Sequence, residues 1–273
     1  GTAMLLYTTR RQQGIIASVL LVGYWVLLAF VPVPGGGVVP MTREFASQNW
    51  PAWVDQLTMG RHLGYGGRTW DANGLLSSLP SIVTLQFGIF AVWMLERGLT
   101  AATTRRLAVW GVVTAVAGWV WGGFPPLIGL GILGEPAVNG ALVFPINKML
   151  WTSSYVLYTA GLGFLALAAC LWLVDLRRRD TTPPRWAMPL VVLGTNAIFA
   201  YLASGLFVKE LYRWTIAGAD GTSQNVWDWA QAHVFAALIP SAPLASLVHS
   251  TVYALIWIAI CGVMYRRRVF LKL

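Results

Sequence analysis

Apolar residues form six long runs along the chain, and polar residues lie mainly between these runs. The runs cover residues 14–33, 75–95, 107–130, 152–174, 188–208 and 246–264. A helix of about 20 residues crosses the hydrocarbon layer of a bilayer, so each run is long enough to span it. None of the runs alternates apolar and polar residues with the period of two that a barrel strand needs. The pattern predicts an all-α, polytopic bundle of about six transmembrane helices.

The composition leads to the same class of protein. Of the 273 residues, 57% are hydrophobic and 11% are charged, and the mean hydropathy is +0.63. A soluble domain carries about 25% charged residues. The composition therefore excludes an ordinary water-soluble domain and predicts an integral membrane protein, with the lipid bilayer as its main partner.

The net charge of +9 is distributed unevenly across the predicted membrane. When successive connections are assigned to alternate sides, one side has 13 of the 19 Lys and Arg residues and three acidic residues, and the other has six basic and seven acidic residues. Cytoplasmic connections are enriched in Lys and Arg, so both termini are expected in the cytoplasm. Because this asymmetry accounts for the basic excess, no nucleic-acid partner is predicted.

The three predicted outward segments differ from the inward turns in length and composition. They cover residues 34–74, 131–151 and 209–245 and are rich in Gly, Pro, Trp and Asn. Long connections held by a rigid scaffold often carry binding and catalytic residues. The functional site is therefore expected on the extracytoplasmic side of the membrane. An interfacial aromatic belt is the preferred explanation for four of the tryptophans, Trp50, Trp53, Trp227 and Trp229.

Glycines inside the predicted spans indicate close helix packing. Gly118 and Gly122 have the spacing that allows two helix backbones to approach each other, and Gly161 and Gly163 are expected to act in the same way.

A first polar cluster precedes the second predicted span and contains Asp71 and Asn73. One interpretation is that the Asp71 carboxylate caps the N-terminus of that helix. The alternative is chemical, with Asp71 orienting a base or binding a polar substrate at the mouth of the bundle.

A second polar cluster lies at another outer boundary and contains Asn147, Lys148, Trp151 and Ser154. Together these side chains offer hydrogen-bond donors, a cation and an aromatic surface, which suit a sugar or a developing oxyanion. The alternative is an interfacial anchor, in which the Lys148 side chain extends to the interface beside Trp151.

Other polar residues lie inside or near the spans. Asn196 is expected to hydrogen-bond another helix or contact a cofactor, and His249 to form an interfacial hydrogen bond or a substrate contact. Cys170 and Cys261 lie in apolar runs and are expected to be buried thiols. No Cys or His spacing is typical of a metal site, so no metal is predicted.

Two long motifs resemble the heparan-α-glucosaminide N-acetyltransferase family and its bacterial relatives. Residues 69–82, TWDANGLLSSLPSI, resemble that family's WDPEGLLSTLPAI stretch, and residues 144–156, FPINKMLWTSSYV, resemble its FPINKxLWTSSYV stretch. Further similarity lies in WLVD at 172–175, GTNAI at 194–198 and YRRRVFLKL at 265–273. The resemblance extends from about residue 14 to the C-terminus.

The resemblance implies transfer of an acetyl group from cytoplasmic acetyl-CoA to an amino sugar or glycan on the far side of the membrane, in a bacterial inner membrane. It assigns Asp71, Asn147 and Lys148 to catalysis. Asn73, Trp151, Ser154 and His249 would bind the acceptor. Asn196, Arg105 and Arg106 would bind acetyl-CoA; the alternative for the two arginines is a purely topological role on the cytoplasmic side.

The chain departs from the family in two ways. Ala72 and Asn73 replace the family's Pro-Glu pair, which removes a carboxylate. The family's further upstream spans, with a proposed catalytic histidine, have no counterpart. Residues 1–273 are therefore expected to form one transmembrane domain, the C-terminal part of a larger acyltransferase. A homodimer is the oligomeric state that we consider for it. The alternatives are a sugar or lipid transporter and a non-catalytic remnant of the enzyme.

Overall fold

The structure is a computed structural model that describes residues 6–38, 47–63, 69–71, 73–96, 98–124, 142–176, 184–217 and 223–271. Residue contacts divide the chain into two compact units, Gly1–Arg179 and Asp180–Leu273. Each unit is described separately below. The expectation of a single transmembrane domain stays a prediction.

The described part of the first unit contains five α-helices: α1 (Arg10–Phe30), α2 (Trp50–Thr58), α3 (Ser78–Leu95), α4 (Ala101–Trp121) and α5 (Ser153–Cys170). A 3-10 turn, Gly60–His62, follows α2, and a π-helical segment, Leu171–Leu176, continues α5.

Side chains at the N-termini fix where several helices begin. Thr9 and Gln12 form a capping box at the start of α1, and Thr100 and Thr103 form another at the start of α4. Asn49 caps α2 by accepting a hydrogen bond from the Ala52 amide at 3.2 Å. Such caps provide hydrogen-bond acceptors for the first backbone amides, which have no partner within the helix. They therefore determine the residue at which each helix begins.

Glycines bring the backbones of α4 and α5 together. A Cβ atom at Gly161 would lie 2.3 Å from the Ala115 amide nitrogen, and one at Gly118 would lie 2.4 Å from the Tyr158 amide nitrogen. Close helix packing at Gly118 and Gly161 is therefore confirmed. The expectation for Gly163 is wrong, because a Cβ atom there would meet nothing within 4 Å.

Polar groups connect α1 to the rest of the first unit. The Gln86 side-chain amide of α3 donates to the Gln13 side-chain oxygen of α1, and both residues are buried. The Ser153 hydroxyl donates to the Leu21 carbonyl at 2.7 Å, and the Tyr24 hydroxyl donates to the Leu150 carbonyl at 2.6 Å. Buried polar groups need such partners, so these bonds specify how α1 faces α3 and the N-terminus of α5.

The described part of the second unit begins with a 3-10 turn, Arg185–Ala187. It continues with α6 (Met188–Thr195), α7 (Ala197–Arg213), strands β1 (Thr215–Ala217) and β2 (Ser223–Asn225), α8 (Val226–Ala230), a π turn (Gln231–Phe235), α9 (Ala236–Leu238) and α10 (Ala242–Arg266). The two strands are antiparallel, with Thr215 opposite Asn225. This small hairpin is the one sheet among the described residues, which also include isolated β-bridge positions at Trp70 and Asn147.

The helices α7 and α10 pack side by side in the second unit. The Tyr253 hydroxyl of α10 donates to the Ser204 carbonyl of α7 at 2.7 Å. The Trp257 ring lies between Phe199 and Phe207, each with its ring centroid 6.3 Å away.

Four described helices are long and apolar enough to cross a membrane: α1, α3, α5 with its π extension, and α10. They correspond to the first, second, fourth and sixth predicted runs. The fifth run, 188–208, is instead the pair α6 and α7, bent by 75° at Asn196. Asn196 has φ −130° and ψ 38°, which interrupts the helix.

The third predicted run, 107–130, overlaps α4, which at 21 residues is long enough for a span but is not apolar enough to be one of the candidate spans. Its first turns carry Arg105 and Arg106, and residues 125–130 of the run lie outside the described residues. The chain is thus a mostly helical protein with four or five candidate spans among its described residues. The count of six and the cytoplasmic termini stay predictions.

Candidate functional site

The second polar cluster forms a tightly hydrogen-bonded segment over residues 144–154, which ends in the first two residues of α5. The Thr152 hydroxyl donates to the Pro145 carbonyl at 2.8 Å, and the Ser154 hydroxyl donates to the same carbonyl at 3.2 Å. The two hydroxyls lie 3.1 Å apart. We call residues 144–154 the polar loop.

The candidate catalytic residues on the polar loop differ in accessibility. Asn147 is buried, and its side-chain oxygen accepts a hydrogen bond from the Met149 amide at 2.9 Å. The backbone N–H of Asn147 donates to the Thr152 hydroxyl at 3.0 Å. Lys148 is exposed, and no salt bridge to it exists among the described residues. The buried Asn147 side chain therefore stabilises the loop conformation, whereas the Lys148 side chain is exposed at the surface.

Trp151 and Ser154 are integrated into the fold. Trp151 has φ 51°, a conformation that few side chains adopt, and its indole nitrogen donates to the Thr84 hydroxyl of α3 at 3.1 Å. Ser154 is fully buried. The contact with Thr84 connects the polar loop to α3 and gives Trp151 a structural partner that an interfacial anchor would not need.

The first polar cluster is organised by Asp55, a buried residue of α2 that the sequence analysis did not identify. One carboxylate oxygen of Asp55 accepts from the Asp71 amide at 3.2 Å, and the other accepts from the Leu75 amide at 3.2 Å. Gly74 leaves room for it, since a Cβ atom there would lie 2.2 Å from both oxygens. We call this arrangement the Asp55 clasp.

Asp71 and Asn73 lie in the segment that the clasp holds. The Asp71 carboxylate accepts a hydrogen bond from the Asn73 amide at 2.8 Å, and the Asn73 side chain is exposed. The interpretation of Asp71 as a helix cap is wrong: α3 begins at Ser78, and the Asp71 carboxylate closes a local turn instead. Its chemical role stays a prediction.

Burial raises the pKa of the Asp55 carboxyl above its usual range, and the neighbouring Asp71 charge raises it further, while the hydrogen bonds from the Asp71 and Leu75 amides act in the opposite direction. The folded protein therefore binds this proton more tightly than the unfolded chain, whose Asp pKa is about 3.9.

We expect the stabilising effect of protonated Asp55 to be complete below about pH 4 and to be lost as the pH rises through its higher folded pKa. The thermal midpoint in detergent, followed by tryptophan fluorescence, tests this. The midpoint of the wild-type chain should fall relative to Asp55→Asn across that window. A difference between the two that stays constant with pH would contradict the expectation.

A cavity of about 660 Å³ opens within the first unit, between α1, α3, α4 and α5. Five aromatic rings and two arginines contribute to its wall: Phe87, Phe90, Trp93, Trp110, Phe164, Arg10 and Arg106. The helix N-termini of α1 and α4 supply the arginines, so both cations lie at one end of the bundle. This is the end that the charge distribution predicts to be cytoplasmic.

The other end of the cavity approaches the polar loop. Leu21 and Leu157 line this end. Leu21 accepts the hydrogen bond from Ser153, and Leu157 lies one helical turn beyond Ser153 on α5. The cavity therefore extends from a basic entrance to a point about one turn from the N-terminus of α5.

The two candidate cofactor-binding arginines, Arg105 and Arg106, differ in whether they line the cavity. Arg106 lines the cavity, whereas Arg105 is not part of its wall. The second arginine in the cavity wall is Arg10, which the sequence analysis counted only among the basic residues of the predicted cytoplasmic side. Its guanidinium lies 4.8 Å from the Trp93 ring centroid and forms a salt bridge with Glu96.

His249 is held between two aromatic rings in the second unit. The Trp227 and Phe235 ring centroids lie 4.1 Å and 4.4 Å from that of His249, both stacked. Nδ1 of His249 lies 2.9 Å from the Gln231 side-chain oxygen. Because a side-chain amide oxygen only accepts hydrogen bonds, Nδ1 is the donor in this contact. Trp227 thus has an internal partner in addition to any place in an aromatic belt.

Asn196 uses both ends of its amide within the second unit. Its side-chain nitrogen donates to the Val269 carbonyl at 3.1 Å, and its oxygen accepts from the Leu271 amide at 2.9 Å. The side chain fastens the segment after α10. The expected hydrogen bond to another helix is therefore wrong, because the partners lie in the non-helical segment after α10. Cofactor binding by Asn196 stays a prediction.

Cys170 and Cys261 are both free thiols, as expected. Cys261 is buried, but the expected burial of Cys170 is wrong because its side chain is exposed on α5. Within the described ranges, no three His, Cys, Asp or Glu side chains converge on a point that could hold a metal ion.

The residues that sequence analysis missed are Arg10, Asp55 and the Gln13 and Gln86 pair. Gln86 carries the clearest signal, a polar side chain inside an apolar run. Asp55 and Arg10 carry none, because an acid in an outward segment and a base beside a span are ordinary in a membrane protein.

The chain is 22% identical to mouse heparan-alpha-glucosaminide N-acetyltransferase over 272 aligned residues, which include 91% of the chain. It spans 36% of that relative's length, or about a third. No protein-family profile matches the chain. The similarity is to a protein named as an N-acetyltransferase, and it covers both units.

Proposed function

We propose that the chain is part of a membrane acyltransferase that moves an acetyl group from acetyl-CoA to the amine of an amino sugar or glycan. The observation that carries the proposal is the cavity of the first unit, with two arginines at one end and its far end near the polar loop. The distant similarity to an N-acetyltransferase supports the same class of reaction.

The cavity wall suits the donor. Guanidinium groups bind phosphates with two parallel hydrogen bonds, and Arg10 and Arg106 both line the entrance. Aromatic rings further in provide apolar surface for the pantetheine arm or the purine. The volume of about 660 Å³ lies within the ~300–1,000 Å³ range of small-molecule sites.

Acyl transfer needs a group that takes the proton of the attacking amine and donors that stabilise the carbonyl oxygen as it gains charge. The amine nitrogen attacks the thioester carbon of acetyl-CoA, the C–S bond breaks as the C–N bond is made, and CoA leaves as a thiolate that takes up a proton. On this chain, the exposed Lys148 cation is suited to the oxyanion, and the half-buried Asp71 carboxylate is suited to hold the amine or take its proton. Asn73 lies beside Asp71 for the hydroxyls of the acceptor.

The sharpest test compares two adjacent arginines. Arg106→Ala should raise the KM for acetyl-CoA about ten- to hundredfold, because one charged hydrogen-bonding partner of the phosphates is lost. Arg105→Ala removes the same charge one residue away, outside the cavity wall, and should change KM by no more than about twofold. The assay is transfer of labelled acetyl from acetyl-CoA to glucosamine in detergent.

Equal effects of the two substitutions would show that the cavity does not hold the donor. Absence of labelled product with every amino sugar, from a protein of confirmed fold, would contradict the acyltransferase itself. Because the chain spans about a third of the curated relative, the assay is to be run on this chain and on the longest reading frame that contains it.

A further inference from the structure

A second cavity lies in the other unit, between α6 and α10. Its volume is about 680 Å³. Apolar side chains line most of it, among them Val192 of α6 and Ile258 of α10. We call it the α6–α10 groove. None of the residues assigned to the proposed acyltransferase chemistry lines it.

The floor of the groove is open at Gly262. This glycine lines the groove, and a Cβ atom placed on it would meet nothing within 4 Å. The contrast with Gly161, where a Cβ atom would collide with the facing backbone, shows that Gly262 does not serve close packing of helices inside the unit. The space beside it can accept an apolar group from outside the chain.

Two arginines complete the wall of the groove. Arg185 precedes α6, and Arg266 ends α10. Both side chains are exposed, and neither forms a salt bridge within the described ranges. Their charges are therefore available to an anion that lies against the apolar wall.

The position of Arg266 is fixed by the segment after it. The Arg267 and Val269 amides donate to the Val263 and Met264 carbonyls at 3.0 and 2.9 Å. Asn196 then fastens Val269 and Leu271. The basic edge of the groove is thus held in place at a helix end that would otherwise fray.

We propose that the α6–α10 groove binds one anionic phospholipid, with an acyl chain along the apolar wall and the phosphate at Arg185 and Arg266. Charge complementarity supports this occupant, because basic pockets between membrane helices bind acidic headgroups. The apolar wall supports a lipid over a soluble anion, since a free phosphate would use only the two arginines. The α10 helix is itself a candidate span, which places the groove within reach of lipid.

The test uses the purified full chain, delipidated in detergent and mixed with phosphatidylglycerol or phosphatidylcholine, with retained lipid counted by native mass spectrometry. We expect one phosphatidylglycerol per chain, in clear preference to phosphatidylcholine. Arg266→Gln should weaken the preference about fivefold. Arg267→Gln removes an equal charge from the neighbouring position, which does not line the groove, and should leave the preference unchanged.

Gly262→Leu supplies an independent variant, because its side chain would occupy the groove and leave both arginines in place. We expect it to lose retained phosphatidylglycerol while keeping the helical circular dichroism of the wild type. Equal retention of the two lipids, or equal effects of Arg266→Gln and Arg267→Gln, would overturn the proposal. Complete displacement by glycerol 3-phosphate would show a soluble-anion site, and a Gly262→Leu variant that changes only the oligomeric state would show a contact between copies.

Discussion

Gly161→Ala is expected to destabilise the first unit by about 1–3 kcal/mol, the usual cost of forcing an extra group into a packed contact. The new Cβ atom would lie 2.3 Å from the Ala115 amide nitrogen and 2.6 Å from the Gly111 carbonyl oxygen. Both are backbone atoms of α4, so no side chain can rotate to make room. The helices α4 and α5 would have to move apart, which also disturbs the polar loop at the N-terminus of α5.

Gly163→Ala is the matched control, since it makes the same chemical change two residues along the same helix. A Cβ atom there meets nothing within 4 Å, and alanine favours a helix over glycine by about 1 kcal/mol. Unfolding in a series of detergent and SDS mixtures, followed by tryptophan fluorescence, should show Gly161→Ala shifted to lower SDS and Gly163→Ala unchanged or shifted higher. Equal shifts would mean that the α4–α5 contact is looser than the structure shows.

Asp55→Ala is expected to cost about 1.5–3 kcal/mol, because the Asp71 and Leu75 amides would each lose a charged acceptor. Gly74→Ala should have an effect of similar size for a different reason. Its Cβ atom would lie 2.2 Å from both Asp55 carboxylate oxygens, so the carboxylate would be displaced from the same two amides. Hydrogen exchange of the amides in residues 69–77, measured by mass spectrometry, should report the loss directly.

The double variant distinguishes the clasp from two unrelated defects. If both substitutions act by breaking the Asp55 clasp, the pair should cost little more than either alone, since residues in one hydrogen-bonded network are not additive. Additive costs would show that Gly74 and Asp55 stabilise the chain independently. Ser81→Ala, which removes an exposed side-chain hydrogen bond on α3, is a suitable control and should be nearly neutral.

The apolar pattern located most helices because lipid leaves little choice of secondary structure. A backbone without water must satisfy its hydrogen bonds internally, so a long apolar run becomes a helix. The run 246–264 lies wholly inside Ala242–Arg266, and the run 75–95 begins three residues before Ser78–Leu95. The pattern failed at Asn196, because hydropathy averages over a window and is insensitive to the single residue at which α6 and α7 bend by 75°.

The sequence identifies the polar motifs as candidate sites, but it does not predict which hydrogen bonds their side chains form within the fold. Asn147, Trp151 and Ser154 bind loop or helix groups through hydrogen bonds that depend on which carbonyls and hydroxyls come near them. Arg105 and Arg106 are equivalent in the sequence and differ only in the direction that each takes from α4. The role of Asp55 is evident only from the position of α2 beside Asp71 and Leu75.

The sequence by itself determined that this is a helical protein of the membrane, roughly where its helices run, and which polar segments interrupt them. Those properties follow from the composition and order of residues and from the cost of leaving polar backbone in lipid. Only the tertiary structure decided which side chains meet: the Asp55 clasp, the contact of Gly161 with α4, and the cavity with Arg10 and Arg106 in its wall. These depend on distances between residues far apart in the chain, which the rotation and approach of packed helices set and a linear pattern does not contain.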